Sequence, residues 1–132
     1  MPLLLEIVTP EAKTFSGEVD SVVLPGTQGE FGVLPGHEHL ITGIEPGELE
    51  IIQGSQKSWL AVGGGFVEVR NDRVAVLTDM AVRVEDIDEN AADEARRRAE
   101  AALAEPRQAD DSARAVLQRS LAQLNVKRRH RR

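Results

Sequence analysis

The spacing of apolar residues changes once along this chain of 132 residues, and that change constrains the fold more than any other feature. Up to about residue 86, apolar side chains recur in short runs with partial alternation, the pattern of strands with one buried face. From Asp88 onward they recur every three or four residues, as on a helix with one buried stripe. Strands and helices are therefore segregated along the chain, which excludes the interleaved order of a parallel α/β sheet. The expected class is α+β: an N-terminal antiparallel β-sandwich over residues 1–86, followed by a C-terminal antiparallel two-helix hairpin over residues 87–132. Glycine and alanine divide at the same place. All 11 glycines lie between Gly17 and Gly65, while alanine rises from 4 before residue 87 to 11 after residue 86.

The strand-like runs are Leu3–Val8, Val19–Leu24, Phe31–Leu34, Leu49–Ile52, Ser58–Val62, Phe66–Arg70, Arg73–Leu77 and Ala81–Val84. They predict at least eight strands, and none of the gaps has room for a helix. Asn71-Asp72 separates two of them, and both residue types tolerate the left-handed conformation of a tight hairpin turn. In the second part, Ala92, Ala95, Ala99, Ala102 and Leu103 share one helical face, with Asp88 or Asn90 as N-cap and Pro106 as the stop. A second helix, capped by Asp110, Asp111 or Ser112, carries a stripe of Ala109, Ala113, Val116, Leu117, Leu121 and Leu124. An alanine stripe buries little area, so the hairpin is expected to dock weakly and reversibly, on its own sandwich or on a partner.

Charge narrows the function classes. Residues 1–86 carry 14 acids and 5 bases (−9), residues 87–132 carry 8 acids and 11 bases (+3), and the sum is −6. An acidic chain lacks the pervasive basic face of a nucleic-acid protein. The bases concentrate in Lys127-Arg128-Arg129-His130-Arg131-Arg132, an arm suited to an acidic partner, a phosphate backbone, or plain solvation. Cysteine is absent, which removes disulfides, thiol catalysis and thiolate metal sites. The longest uncharged run, Ser58 to Val67, has ten residues, about half of what a bilayer span needs. Met1 to Leu5 meets Glu6 with no basic region before it, unlike a signal peptide. Together these place the chain in the cytoplasm or on a cytoplasmic membrane face.

Little in the sequence suggests catalysis. Gly63-Gly64-Gly65 is followed by a strand, whereas a phosphate loop needs a helix there, so a bulge or close strand crossing is expected. His37-Glu38-His39, with Glu45 beyond, resembles the metal motif of cupins, but His130 in the basic arm is the sole other imidazole; no metal site is expected. No Gly-x-Ser-x-Gly elbow occurs. A small cupin-like metal enzyme and a basic-tailed nucleic-acid adaptor are the alternative functions. More informative is Leu24 to His39, four glycines and two prolines around Phe31, Val33 and Leu34. Rigid turns carrying apolar groups at one end of a sandwich make a shaped surface for another protein.

That stretch reads P-G-x-x-G-E-F-G-V-L-P-G-H, and it resembles the epsilon subunit family of bacterial F-type ATP synthases. The resemblance extends over nearly the whole chain: Leu5-Glu6-Ile7-Val8-Thr9-Pro10, Phe15-Ser16-Gly17-Glu18-Val19, Gly63-Gly64-Gly65-Phe66-Val67-Glu68-Val69, the valine-rich strand after Asn71, and Ile87-Asp88. It implies a non-catalytic rotor subunit without a cofactor, whose sandwich binds the gamma subunit and rests on the c-ring, peripheral to the cytoplasmic face of the inner (plasma) membrane with no insertion of its own. Glu30, Phe31, Val33 and His37 are the implied ring contacts. The hairpin is implied to lie on the sandwich or to extend into the alpha/beta catalytic head and block ATP hydrolysis. There Arg114, Arg119, Lys127, Arg128 and Arg129 would meet acidic segments of the beta subunits. Some members bind ATP through Ile-Asp-x-x-Arg-Ala. This chain has Ile87 and Asp88 but Ala91 in place of the arginine, with Arg98 further on, which implies weak or no ATP binding.

Overall fold

The computed structural model describes residues 2–107 and 109–131. Ten strands come first: β1 (Leu3–Val8), β2 (Lys13–Val19), β3 (Ser21–Gly26), β4 (Gly29–Val33), β5 (Leu40–Ile44), β6 (Gly47–Gln53), β7 (Gln56–Val62), β8 (Gly65–Arg70), β9 (Arg73–Thr78) and β10 (Ala81–Arg83). A 3-10 turn at Val84–Asp86 leads into α1 (Glu89–Ala104) and α2 (Asp111–Arg129). β2 and β5 had no counterpart in the sequence reading, and the run Val19–Leu24 is divided at Asp20. The glycines explain this: Gly17 and Gly43 interrupt the apolar alternation of β2 and β5, although both strands pair along their length.

The strands form one sheet in the order β10-β7-β6-β3-β5-β8-β9-β1-β2, with β4 paired to β3 off this path. β6 and β9 are far apart in that order, yet Leu49, Ile51, Val74 and Val76 belong to one core cluster with Leu3, Leu5, Ile7 and Leu24. The sheet therefore folds over on itself as a sandwich. Alternation along β1 shows how: Leu3, Leu5 and Ile7 are fully buried, and the residues between them face outward. At the β8–β9 hairpin, Asn71 (φ 48°) and Asp72 (φ 59°) take the expected left-handed turn, with Arg70 opposite Arg73. One ladder departs from the antiparallel expectation. β1 and β9 run parallel, because the chain crosses the whole sheet between them and no hairpin fixes their relative direction.

Gly65 resolves the triple glycine as a close crossing of strands. Its φ of +156° disfavours side chains, and a Cβ there would overlap the carbonyl of Leu77.

Both helices are capped as their sequences require. The Asp88 carboxylate accepts the Ala91 N–H at 3.0 Å, and the Asp110 carboxylate accepts the Ala113 N–H at 2.9 Å. α1 packs on α2, and α2 lies on β6, β7 and the 3-10 turn. The buried residues of α2 are Ser120, Ala122, Leu124 and Val126, a wider band than the stripe read from the sequence, and Leu121 is 38% exposed. The reason is that α2 is covered on two flanks, by α1 and by the sheet. Val126 joins Ala61 and Ile87 in a second apolar cluster, bordered by Trp59, Met80, Val82 and Val84 and separate from the sandwich core.

Candidate partner surfaces

The β3–β4 hairpin closes at Gly26 opposite Gly29 and carries the turn-rich stretch to one end of the sandwich. A side chain at Gly26 would press on the Phe31 ring at 2.8 Å and the Gly29 carbonyl at 2.7 Å, so this turn accepts only glycine. Glu30 is exposed, while Phe31 and His37 are half-buried. All three line a cleft of about 330 Å³ together with Gln28 and Leu40. Val33 does not join them. It is fully buried in the sandwich core, because β4 alternation turns it inward, and the implied ring contact at Val33 is corrected to a core position. The following loop is held from a distance: the Gly36 N–H donates to the Asp72 carboxylate at 2.7 Å, tying it to the β8–β9 turn.

His37 and His39 do not converge. His37 Nδ1 lies 2.8 Å from the Glu38 carbonyl, and His39 Nε2 lies 3.8 Å from Glu68. No group of three His, Asp or Glu side chains able to hold a metal occurs among the described residues.

The outer faces of the sandwich differ. α2 covers β6 and β7, but nothing in the chain covers Ile41, Phe66 and Leu77, which are 64%, 63% and 55% exposed. Phe66 sits directly opposite Leu77 in the β8–β9 register, and Gly43 of β5 sits opposite Phe66 on its other side. Sequence reading passed over this face. Its signal was the run Val74-Ala75-Val76-Leu77, apolar on both faces of the strand where a solvated face calls for alternation.

The cations of α2 are held inside the molecule. Arg114 pairs with Asp111 at 3.1 Å, Arg119 with Asp79 at 3.4 Å, Arg128 with Glu89 at 3.2 Å and Arg129 with Glu48 at 3.5 Å. Lys127 Nζ donates to the Val84 carbonyl at 3.0 Å. The basic end is thus helix and docked segment, not a free arm, up to Arg131, which also pairs with Glu89. Arg132 lies outside the described residues. The five bases do not form one patch: Arg114 is at the start of α2, and Lys127, Arg128 and Arg129 are at its end.

Asp88 and Arg98 are likewise engaged, Asp88 as the α1 cap and Arg98 with Glu94. On the same helix Asp93 accepts from Arg96 at 2.8 Å and pairs with Arg97 at 3.0 Å. The Arg96 hydrogen bond, with Arg97 beside it, holds the Asp93 carboxyl below its usual 3.8. No helix among the described residues is long and apolar enough to cross a membrane.

Comparison with known proteins supplies the context for these surfaces. A family model described as "ATP synthase, Delta/Epsilon chain, beta-sandwich domain" matches residues 2–84. The chain is 46% identical over 132 residues to the ATP synthase epsilon chain of Dehalococcoides mccartyi, spanning 98% of this chain and 94% of that one. It is 43% identical over 128 residues to the epsilon chain of Herpetosiphon aurantiacus, spanning 96% and 94%. Among solved structures, a chain of the Euglena gracilis mitochondrial ATP synthase, in an OSCP/F1/c-ring structure, superposes with a TM-score of 0.75 at 26% identity over 97% of this chain and 80% of that chain.

Proposed function

The chain belongs to the ATP synthase epsilon-chain family and is a non-catalytic subunit of the F-type enzyme, and from that premise we propose that its two halves divide the work of a rotor element. The sandwich docks a gamma subunit and rests on the c-ring, so that ring rotation reaches the catalytic head. The hairpin is a movable arm that inhibits ATP hydrolysis when it extends toward the alpha/beta subunits. The assembly holds the chain at the cytoplasmic face of the inner membrane through its partners.

The observation that carries the docking half is the asymmetry of the sandwich faces. One outer face is covered by α2, while the other presents Phe66, Leu77 and Ile41 to solvent as a contiguous apolar strip across β5, β8 and β9. Such strips are covered in the working assembly. We assign this face to gamma and the cleft of Glu30, Phe31 and His37 to the ring. At that cleft an exposed carboxylate and an imidazole can meet the polar loops of a membrane ring.

Because the chain has no cysteine, single cysteines report each surface. In the assembled enzyme, Glu30→Cys is expected to cross-link to a c subunit and Phe66→Cys to gamma. A Phe66→Cys thiol that stays open to maleimide after assembly, or a Glu30→Cys that never reaches the ring, overturns the assignment of that surface.

A further inference from the structure

At its C-terminal end α2 is fastened to the sandwich by a contact of a different kind from the rest. The His130 ring stacks on Trp59 of β7, with centroids 3.9 Å apart and planes 17° from parallel. Its Nε2 lies 2.5 Å from Glu48 Oε1 on β6, and the side chains of both residues are mostly buried, at 16% and 15% exposure. His130 is the C-cap of α2, its N–H donating to the Val126 carbonyl at 3.2 Å. The imidazole therefore bridges the end of the moving element and two strands of the fixed one.

We propose that His130, Glu48 and Trp59 form a proton-sensitive latch that holds the hairpin down on the sandwich. The proposal rests on the hairpin being a movable arm. Imidazole is the side chain that exchanges its charge between about pH 5 and 8. When charged, it adds an ionic bond to Glu48 and a cation over the indole face of Trp59; when neutral, it keeps only a hydrogen bond and a stack. The other charged groups around it do not cancel this. Arg129 on α2 faces the second oxygen of Glu48 at 3.5 Å, Arg131 is turned to Glu89, and β7 offers only the uncharged Trp59. Opposite Trp59, Glu50 of β6 pairs with Lys57 at 3.6 Å. A fall in pH thus tightens the docked state, until Glu48 itself protonates, and a rise in pH loosens it.

Trp59 is the single tryptophan, and tyrosine is absent, so its emission reports the latch in the full-length chain without a label. As pH rises from 6 to 8, the emission maximum is expected to shift to the red as the ratio of docked to released hairpin falls by about fivefold, the upper range for one partly exposed ion pair. His130→Gln keeps a planar hydrogen-bonding group without a titrating proton, and its emission is expected to be flat over that range. His37 and His39 are unchanged in the variant and serve as internal controls. A wild-type emission maximum that does not move, or a His130→Gln variant that moves as far as wild type, overturns the latch. Neither outcome bears on whether the extended hairpin inhibits hydrolysis, which is measured separately in the assembled enzyme.

Discussion

Truncating Val126 to alanine separates the attachment of the hairpin from the stability of the sandwich. Val126 is 2% exposed and packs with Ala61 and Ile87 in a cluster that shares no buried residue with the sandwich core. Val126→Ala removes two methyl groups, worth about 1.6 kcal/mol at roughly 0.8 kcal/mol each, and the incompletely filled space adds several tenths. The expected cost is about 2 kcal/mol, a roughly thirtyfold fall in the ratio of docked to released hairpin. Urea titration followed by Trp59 emission reads docking, because Trp59 borders this cluster, and far-ultraviolet circular dichroism reads the strands. In wild type the docking transition is expected to come first; in Val126→Ala it moves to lower urea while sandwich unfolding stays where it was. Leu121→Ala, at a site 38% exposed, moves the docking transition much less. If Val126→Ala leaves docking in place, the second cluster does not hold the hairpin. If it shifts both transitions equally, the two clusters are one cooperative unit and the reasoning fails.

Three further outcomes are expected. Replacing Phe66 and Leu77 together by glutamate puts charge on the uncovered face; gamma association, read by copurification, is expected to be lost while the isolated chain keeps its circular dichroism spectrum. Asp93 is held below its usual 3.8 by the Arg96 hydrogen bond. A carboxylate depressed in this way lends stability above its unfolded value and loses it as pH falls through the folded one. Hairpin helicity is therefore expected to drop below pH 3.8, and Asp93→Asn to show less of that acid-dependent loss. Calorimetry of the isolated chain with ATP is expected to show weak or no binding, since Ala91 offers no cation, Asp88 caps α1 and Arg98 is paired with Glu94. A micromolar dissociation constant would contradict this.

How much the sequence conveyed depended on the range of each interaction. The Asn71-Asp72 turn, the Asp88 and Asp110 caps and the switch from strands to helices are local, and each was legible from a few adjacent residues. β2 and β5 were not, because their mid-strand glycines break the alternation that pairing with neighbours sustains. The inward turn of Val33 needed the register of β4 against β3, which the glycine-rich sequence around it conceals. The basic end misled most. A run of arginines reads as a solvated arm, and only tertiary structure brings Glu48, Trp59 and Glu89 to meet it across many residues of chain.

The same pairs give the hairpin its conditional character. Arg119, Lys127, Arg128 and Arg129 are bonded to the sandwich, the 3-10 turn or α1 while the hairpin is down, and each bond reaching the sandwich or the turn must exchange for one on a partner if it extends. Partly exposed pairs are each worth up to about 1 kcal/mol, so this exchange is nearly neutral and small biases decide it. ATP hydrolysis by the assembled enzyme, with and without residues 88–132, tests that central claim most directly. Removal of the hairpin is expected to raise hydrolysis while the sandwich still copurifies with gamma; hydrolysis unchanged in an enzyme that retains the truncated sandwich would contradict it.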